Sequence, residues 1–168
     1  MVHKIIFALM FTFVLLASAG TAAERQPPTG EITIAAVGDI MLGNRAEPYL
    51  AREGAGYPFV SVLPVLRQAD LIIGNLESPI SARGTAVENK TFTLRAAPVA
   101  AAALKAAGIR VVTLANNHSM DFGPLALQDT LKVLGENDIL YSGAGMNLED
   151  ARAPAFLKVG DLTLAFLS

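Results

Sequence analysis

The chain has 168 residues, room for one domain, and contains no cysteine, so its core must hold the fold without disulfides. Its formal net charge is −2 and it has no run of Lys and Arg. Nucleic acid is therefore not an expected partner, because binding a phosphate backbone needs basic surface.

Residues 1–23 stand apart from the rest. His3 and Lys4 give a short polar start, residues 5–17 (IIFALMFTFVLLA) are apolar but for Thr12, and small residues follow up to Ala23. This is the pattern of a secretory signal peptide cleaved after Ala19 or Ala23, and the apolar run is short for a membrane span. The mature protein is thus expected to be exported, to the periplasm or the cell surface. Residues 24–31, with QPPTG at 26–30, read as a linker into a domain over 32–168.

In the domain, residues 31–37 (EITIAAV) predict a first strand ended by Gly38-Asp39, with a loop at Asn44. Residues 57–68 look helical in part, with Pro64 as an interruption. Residues 71–73 predict a second buried strand ending in Gly74-Asn75-Leu76-Glu77. Residues 78–94 show no period and predict a surface excursion. Residues 98–107 predict an alanine-rich helix closed by Gly108. Residues 111–114, rich in β-branched side chains, predict a third buried strand. A polar loop follows, then a helix over 124–137 with Leu127, Leu131 and Leu134 at helical spacing. Residues 140–142 predict a short strand, Gly143-Ala144-Gly145 a turn, and Asn147 the N-cap of a short helix at 148–151. Residues 155–159 and 162–167 predict a hairpin turned at Gly160-Asp161. Alternating strands and helices predict an α/β fold with a mainly parallel sheet covered by helices.

Chemistry concentrates at the strand ends. Asn116, Asn117 and His118 follow a buried strand, and Asp121 lies just beyond. Ligands of open α/β sheets bind outside the carboxyl ends of the strands, where this loop would lie. A single Asn or Asp there reads as a turn residue, and Asp121 alone as a helix cap. Asn-Asn-His in a row points instead to metal ligation or acid–base work. Asp39 and the Asn75–Glu77 stretch end two other strands, so three polar strand ends are expected to meet at one edge. Carboxylate, amide and imidazole together suit a hard or borderline cation. Weaker patterns carry little: Asn89-Lys90-Thr91 and Asn117-His118-Ser119 match the glycosylation acceptor by chance composition, and no nucleophile elbow occurs.

VGDIMLG at 37–43, ADLIIGNLESPI at 69–80 and LANNHSMDFG at 114–123 together resemble the bacterial capsule synthesis proteins of the CapA type, which are linked to poly-γ-glutamate capsules. AAGIRVVTL at 106–114 and GAGMNLEDARAP at 143–154 are lesser matches in the same order. The resemblance implies a fold like one half of a calcineurin-like metallophosphoesterase sandwich and a divalent metal of the Mn, Zn or Fe type. It implies Asp39, Glu77, Asn117 and Asn75 as metal ligands, His118 as the catalytic group, and Asn116 and Asp121 in support. Where the family usually has a His two positions after the first Asp, Met41 stands here. The resemblance further implies an exported anionic polymer or a phosphoester as substrate, with a membrane synthase complex as partner. A metal-dependent hydrolase or transferase is one reading and a non-catalytic polymer-binding or synthase-docking factor the other. The family runs on with further His ligands, so this chain is expected to be a truncated N-terminal part, inactive alone.

Overall fold

The computed structural model describes residues 31–168. The expected leader, and all of the expected linker but its last residue, lie outside them. The described residues form a four-stranded sheet in the order β1-β2-β3-β4, from β1 (Ile34–Ile40), β2 (Leu71–Leu76), β3 (Ile109–Thr113) and β4 (Leu140–Ser142). Every pairing in it is parallel. Helices α1 (Glu47–Glu53), α2 (Leu63–Leu66), α3 (Val99–Ala106), α4 (Gly123–Glu136) and α5 (Leu148–Arg152) connect and flank these strands. A separate antiparallel hairpin, β5 (Ala155–Val159) with β6 (Leu162–Phe166), closes the described chain. The α/β class and the mainly parallel sheet are as the alternating pattern predicts.

The core lies between β2, β3 and α3. Ala100, Ala101, Ala103 and Leu104 of α3 are fully buried against Ile72, Ile109 and Val112. Alanine keeps the helix close to the sheet and costs no side-chain entropy. Gly108, at φ 79°, ends α3 in a left-handed conformation that glycine adopts without a Cβ penalty. On α4, Ala126, Thr130 and Leu134 recur at four-residue spacing and are buried with Leu131, while Leu127 is only partly covered. The Thr130 hydroxyl donates to the Ala126 carbonyl at 2.7 Å and accepts the Ile80 amide at 2.8 Å, which ties α4 to the chain leaving β2. Asn147 caps α5 as expected, accepting the Asp150 amide at 2.9 Å.

Several expectations need correction. The first strand begins and ends three residues late, and Asp39 lies inside it, paired with Asn75. An extra residue in β1 between Ala36 and Asp39 makes this continuation irregular, and Gly38 sits at that point. The second strand runs on through Asn75 to Leu76, and the third ends at Thr113. Residues 44–53, expected to open as a loop, form a 3-10 turn (Asn44–Ala46) and α1. Pro48 stands in the first turn of α1, where its missing N–H costs nothing. Pro64 likewise opens α2 and does not interrupt it. The excursion at 78–94 is only partly on the surface, since Ser78, Ile80 and Ser81 are buried. The last two strands form the expected hairpin as a sheet of their own, and the final strand is mostly exposed.

One close approach locks the end of β1 to the segment before α3. A Cβ on Gly43 would lie 2.1 Å from the Arg95 carbonyl oxygen and 2.7 Å from its carbon. Both are backbone atoms that cannot swing aside. Gly43→Ala is therefore expected to destabilise by about 1–3 kcal/mol, the usual range for overpacking. Urea unfolding would show it, and an unchanged midpoint would mean that the two segments part easily.

Candidate active site

The parallel register sets the last polar residue of each strand in one row. Asp39 of β1 stands opposite Asn75 of β2, Asn75 opposite Thr113 of β3, and Thr113 opposite Ser142 of β4. Their side chains link across the sheet. Asn75 Nδ2 donates to Asp39 Oδ1 at 2.8 Å, and Thr113 Oγ1 donates to Asn75 Oδ1 at 3.1 Å. Glu77, just past β2, joins the row because its amide donates to the Ile40 carbonyl at 3.1 Å and keeps the chain beside β1. Its carboxylate accepts a second bond from Asn75 Nδ2 at 2.9 Å. Asp39 and Glu77 thus converge on one nitrogen.

The loop after β3 is built by Asn116. Its Nδ2 donates to Asn75 Oδ1 at 3.0 Å and to the Leu76 carbonyl at 2.9 Å. Its Oδ1 accepts the His118 amide at 2.9 Å and the Ser119 hydroxyl at 3.2 Å. Every hydrogen-bonding group of this amide is used, which fixes the loop against the end of β2. The His118 ring is brought beside Glu77, with Nε2 3.6 Å from Glu77 Oε1. Its other nitrogen, Nδ1, lies 2.7 Å from Asp121 Oδ2.

Asp121 is 1 % exposed and does not cap α4. The residue at the cap position is Phe122, which offers no side-chain acceptor. The Asp121 carboxylate instead binds His118, the Lys90 ammonium and, at 2.6 Å, the Leu94 amide. Burial pushes this carboxyl up, but the bonds from Lys90, His118 and Leu94 outweigh it, and it is held below the ordinary carboxylate range.

The structure brings Asp39, Asn75, Glu77, Asn116, His118 and Asp121 together at one sheet edge. Asn117 is exposed beside them, and the contact it makes here is through its carbonyl, which accepts from Lys90 at 2.5 Å. Asn75 turns its amide nitrogen to the two carboxylates and its oxygen to Thr113 and Asn116. In this arrangement its amide nitrogen links the two carboxylates. Met41 lines an open apolar cleft with Phe59, Val62 and Leu66. Thr113 and Lys90 belong to the cluster but carry no sequence signal. Thr113 reads as an ordinary strand residue, and Lys90 lies in a stretch without periodicity.

Among the described residues no three His, Cys, Asp or Glu side chains gather closely enough to enclose a metal ion. The chemistry of the donors still fits one divalent cation in part. Two carboxylates point at a single place, where Asn75 now supplies partial positive charge. They would hold an ion openly and not in a closed cage.

The family described as bacterial capsule synthesis protein PGA_cap matches residues 33–168. The chain is 34 % identical over 140 residues to the capsule biosynthesis protein CapA of Bacillus anthracis, covering 82 % of this chain and 34 % of that one. It is 32 % identical over 165 residues to the PGA biosynthesis protein CapA of Bacillus subtilis, covering 97 % of this chain and 43 % of that one. It is 38 % identical over 106 residues to a Mycobacterium tuberculosis protein named as a probable polyglutamine synthesis accessory protein, covering 62 % and 28 %. The chain therefore spans less than half the length of these curated relatives.

Proposed function

The chain belongs to the bacterial capsule synthesis protein family, and on that premise we propose that it contributes a metal-assisted acid–base site to the handling of an exported anionic polymer or a phosphoester. The observation that carries this reading is the His118 ring, with Nδ1 held by a buried carboxylate and Nε2 facing Glu77 at the strand ends. Because Nδ1 is committed to Asp121, a proton passed to or from substrate moves at Nε2. Asp39, Glu77 and the exposed Asn117 would hold a divalent ion of the Mn, Zn or Fe type. Such an ion would supply an activated water and stabilise developing charge on oxygen. Asn116 keeps the loop at the carboxylates, and Asp121 sets the ring plane. Export by a cleaved leader is part of the same proposal, and N-terminal sequencing of the native protein checks it.

His118 is the one histidine outside the leader, so no imidazole remains to help hold the ion. Weak binding of a single ion without turnover is the expected behaviour of residues 24–168. The test is to purify them, add manganese or zinc, and follow both ion binding and the hydrolysis of phosphoester and γ-glutamyl bonds. Clear turnover that disappears in His118→Ala would show that these residues suffice for catalysis.

One observation favours a second reading, a non-catalytic factor that binds polymer or docks to a synthase. The Asn75 amide nitrogen already bridges the two carboxylates at the place an ion would take. If no ion binds at any concentration tried, that reading replaces the first.

A further inference from the structure

The segment between Ser81 and Ala96 is a strap across the loop that carries His118. Both ends are fixed to the body of the protein. The Ser81 amide donates to the Ala96 carbonyl at 3.0 Å, the Ser81 hydroxyl to Asp129 of α4 at 2.6 Å, and Arg83 pairs with the same carboxylate. Between these anchors the strap reaches Asp121 three times. The Val87 amide donates to the Asp121 carbonyl at 2.9 Å, the Leu94 amide to its carboxylate, and Lys90 to the other carboxylate oxygen. Lys90 Nζ makes one more contact, to the Asn117 carbonyl at 2.5 Å. Its side chain is 27 % exposed, whereas Lys132 on α4 is 72 % exposed and pairs with Glu136 one helical turn on.

A lysine normally keeps its ammonium in water, because desolvating it is costly unless it is fully paired. Here the ammonium is drawn in between a buried carboxylate and a main-chain oxygen, and these belong to the two ends of the Asn117–Asp121 turn. We infer that Lys90 is a positioning residue of the site, clamping both ends of the turn so that the Asn117 side chain and the His118 ring keep their directions at the strand ends. The inference rests on the reading of His118 as the acid–base group for its purpose, but its geometry can be tested without any activity.

The test is nuclear magnetic resonance on residues 24–168, comparing the natural protein with Lys90→Met and Lys90→Arg. In the natural protein the amides of residues 117–120 are expected to show rigid order parameters of about 0.85. The His118 ring should show contacts to the Glu77 methylenes. Lys90→Met should drop the order parameters in this turn below about 0.6 and erase the ring contacts, with the rest of the fold unchanged. Lys90→Arg should restore both. Lys90→Met strands the buried Asp121 carboxylate and lowers the melting temperature under either reading, so the turn decides: a turn that stays ordered in that variant would overturn the inference. Should Lys90→Met fail to fold, the natural protein decides alone. Lys90 ammonium protons that exchange with water as fast as those of Lys132 would overturn it, and protected ones would support it. Loss of ion binding or turnover in the earlier assays would leave these readouts unaffected, so the two proposals fail separately.

Discussion

Asp121→Ala is expected to lower stability by about 3–5 kcal/mol, the cost of removing one partner from a buried ion pair. The carboxylate is 1 % exposed and serves Lys90, the Leu94 amide and His118 at once. Alanine would leave an ammonium without its acid and a backbone donor without an acceptor. In a chain of this size the loss corresponds to a melting temperature lower by roughly 10 °C or more. Asp121→Asn keeps the shape and one acceptor, so it should fall between the two. The pH dependence follows from the same contacts. The folded carboxyl is held below its ordinary value, which is about 3.9 in an unfolded chain. Its stabilisation is thus present at neutral pH and is lost as pH falls through the acid range. The difference between natural protein and variant should narrow below about pH 4. Urea titrations at pH 7 and pH 3 measure both effects, and a difference under 1 kcal/mol at pH 7 would remove Asp121 from its structural role.

Asp39→Asn and Glu77→Gln should each weaken manganese binding at least tenfold while leaving the fold in place. Each substitution removes a charge from the pair that converges on the Asn75 amide. Asp39 is exposed and Glu77 about one-fifth exposed, so neither change strands a buried group. His118→Ala should behave differently, sparing ion binding in large part. Its stability cost should stay near 1 kcal/mol, because Asp121 keeps Lys90 and the Leu94 amide. Calorimetric titration separates these outcomes. Equal affinities across all four proteins would place the ion, if any, elsewhere.

Much of the fold was legible because its signals are local. Apolar runs closed by Gly and polar residues mark β2 and β3, an alanine-rich stretch ended by Gly108 marks α3, and the Asn147 cap marks α5. The Asn-Asn-His run stood out for the same reason, as three polar side chains directly after a buried strand. The 3-10 turn and α1 at 44–53 were missed because Asn44, at φ 49°, reads as a loop residue, whereas Pro48 after it fits the first turn of a helix.

The sequence by itself determined the α/β class, the order of the strands, the family and the polar strand ends. Tertiary structure alone decided how those ends act on one another. Asn75 and Asp39 are 36 positions apart in the chain, Lys90 and Asp121 are 31 apart, and only the parallel register and the strap bring them into contact. Which way the Asn75 amide faces depends on donors from β3 and its loop. Whether Asp121 caps a helix or orients a histidine depends on a lysine from a segment with no periodic signal. Periodicity and turn chemistry reach only a few residues along a chain, whereas side-chain partners are selected by the folded geometry.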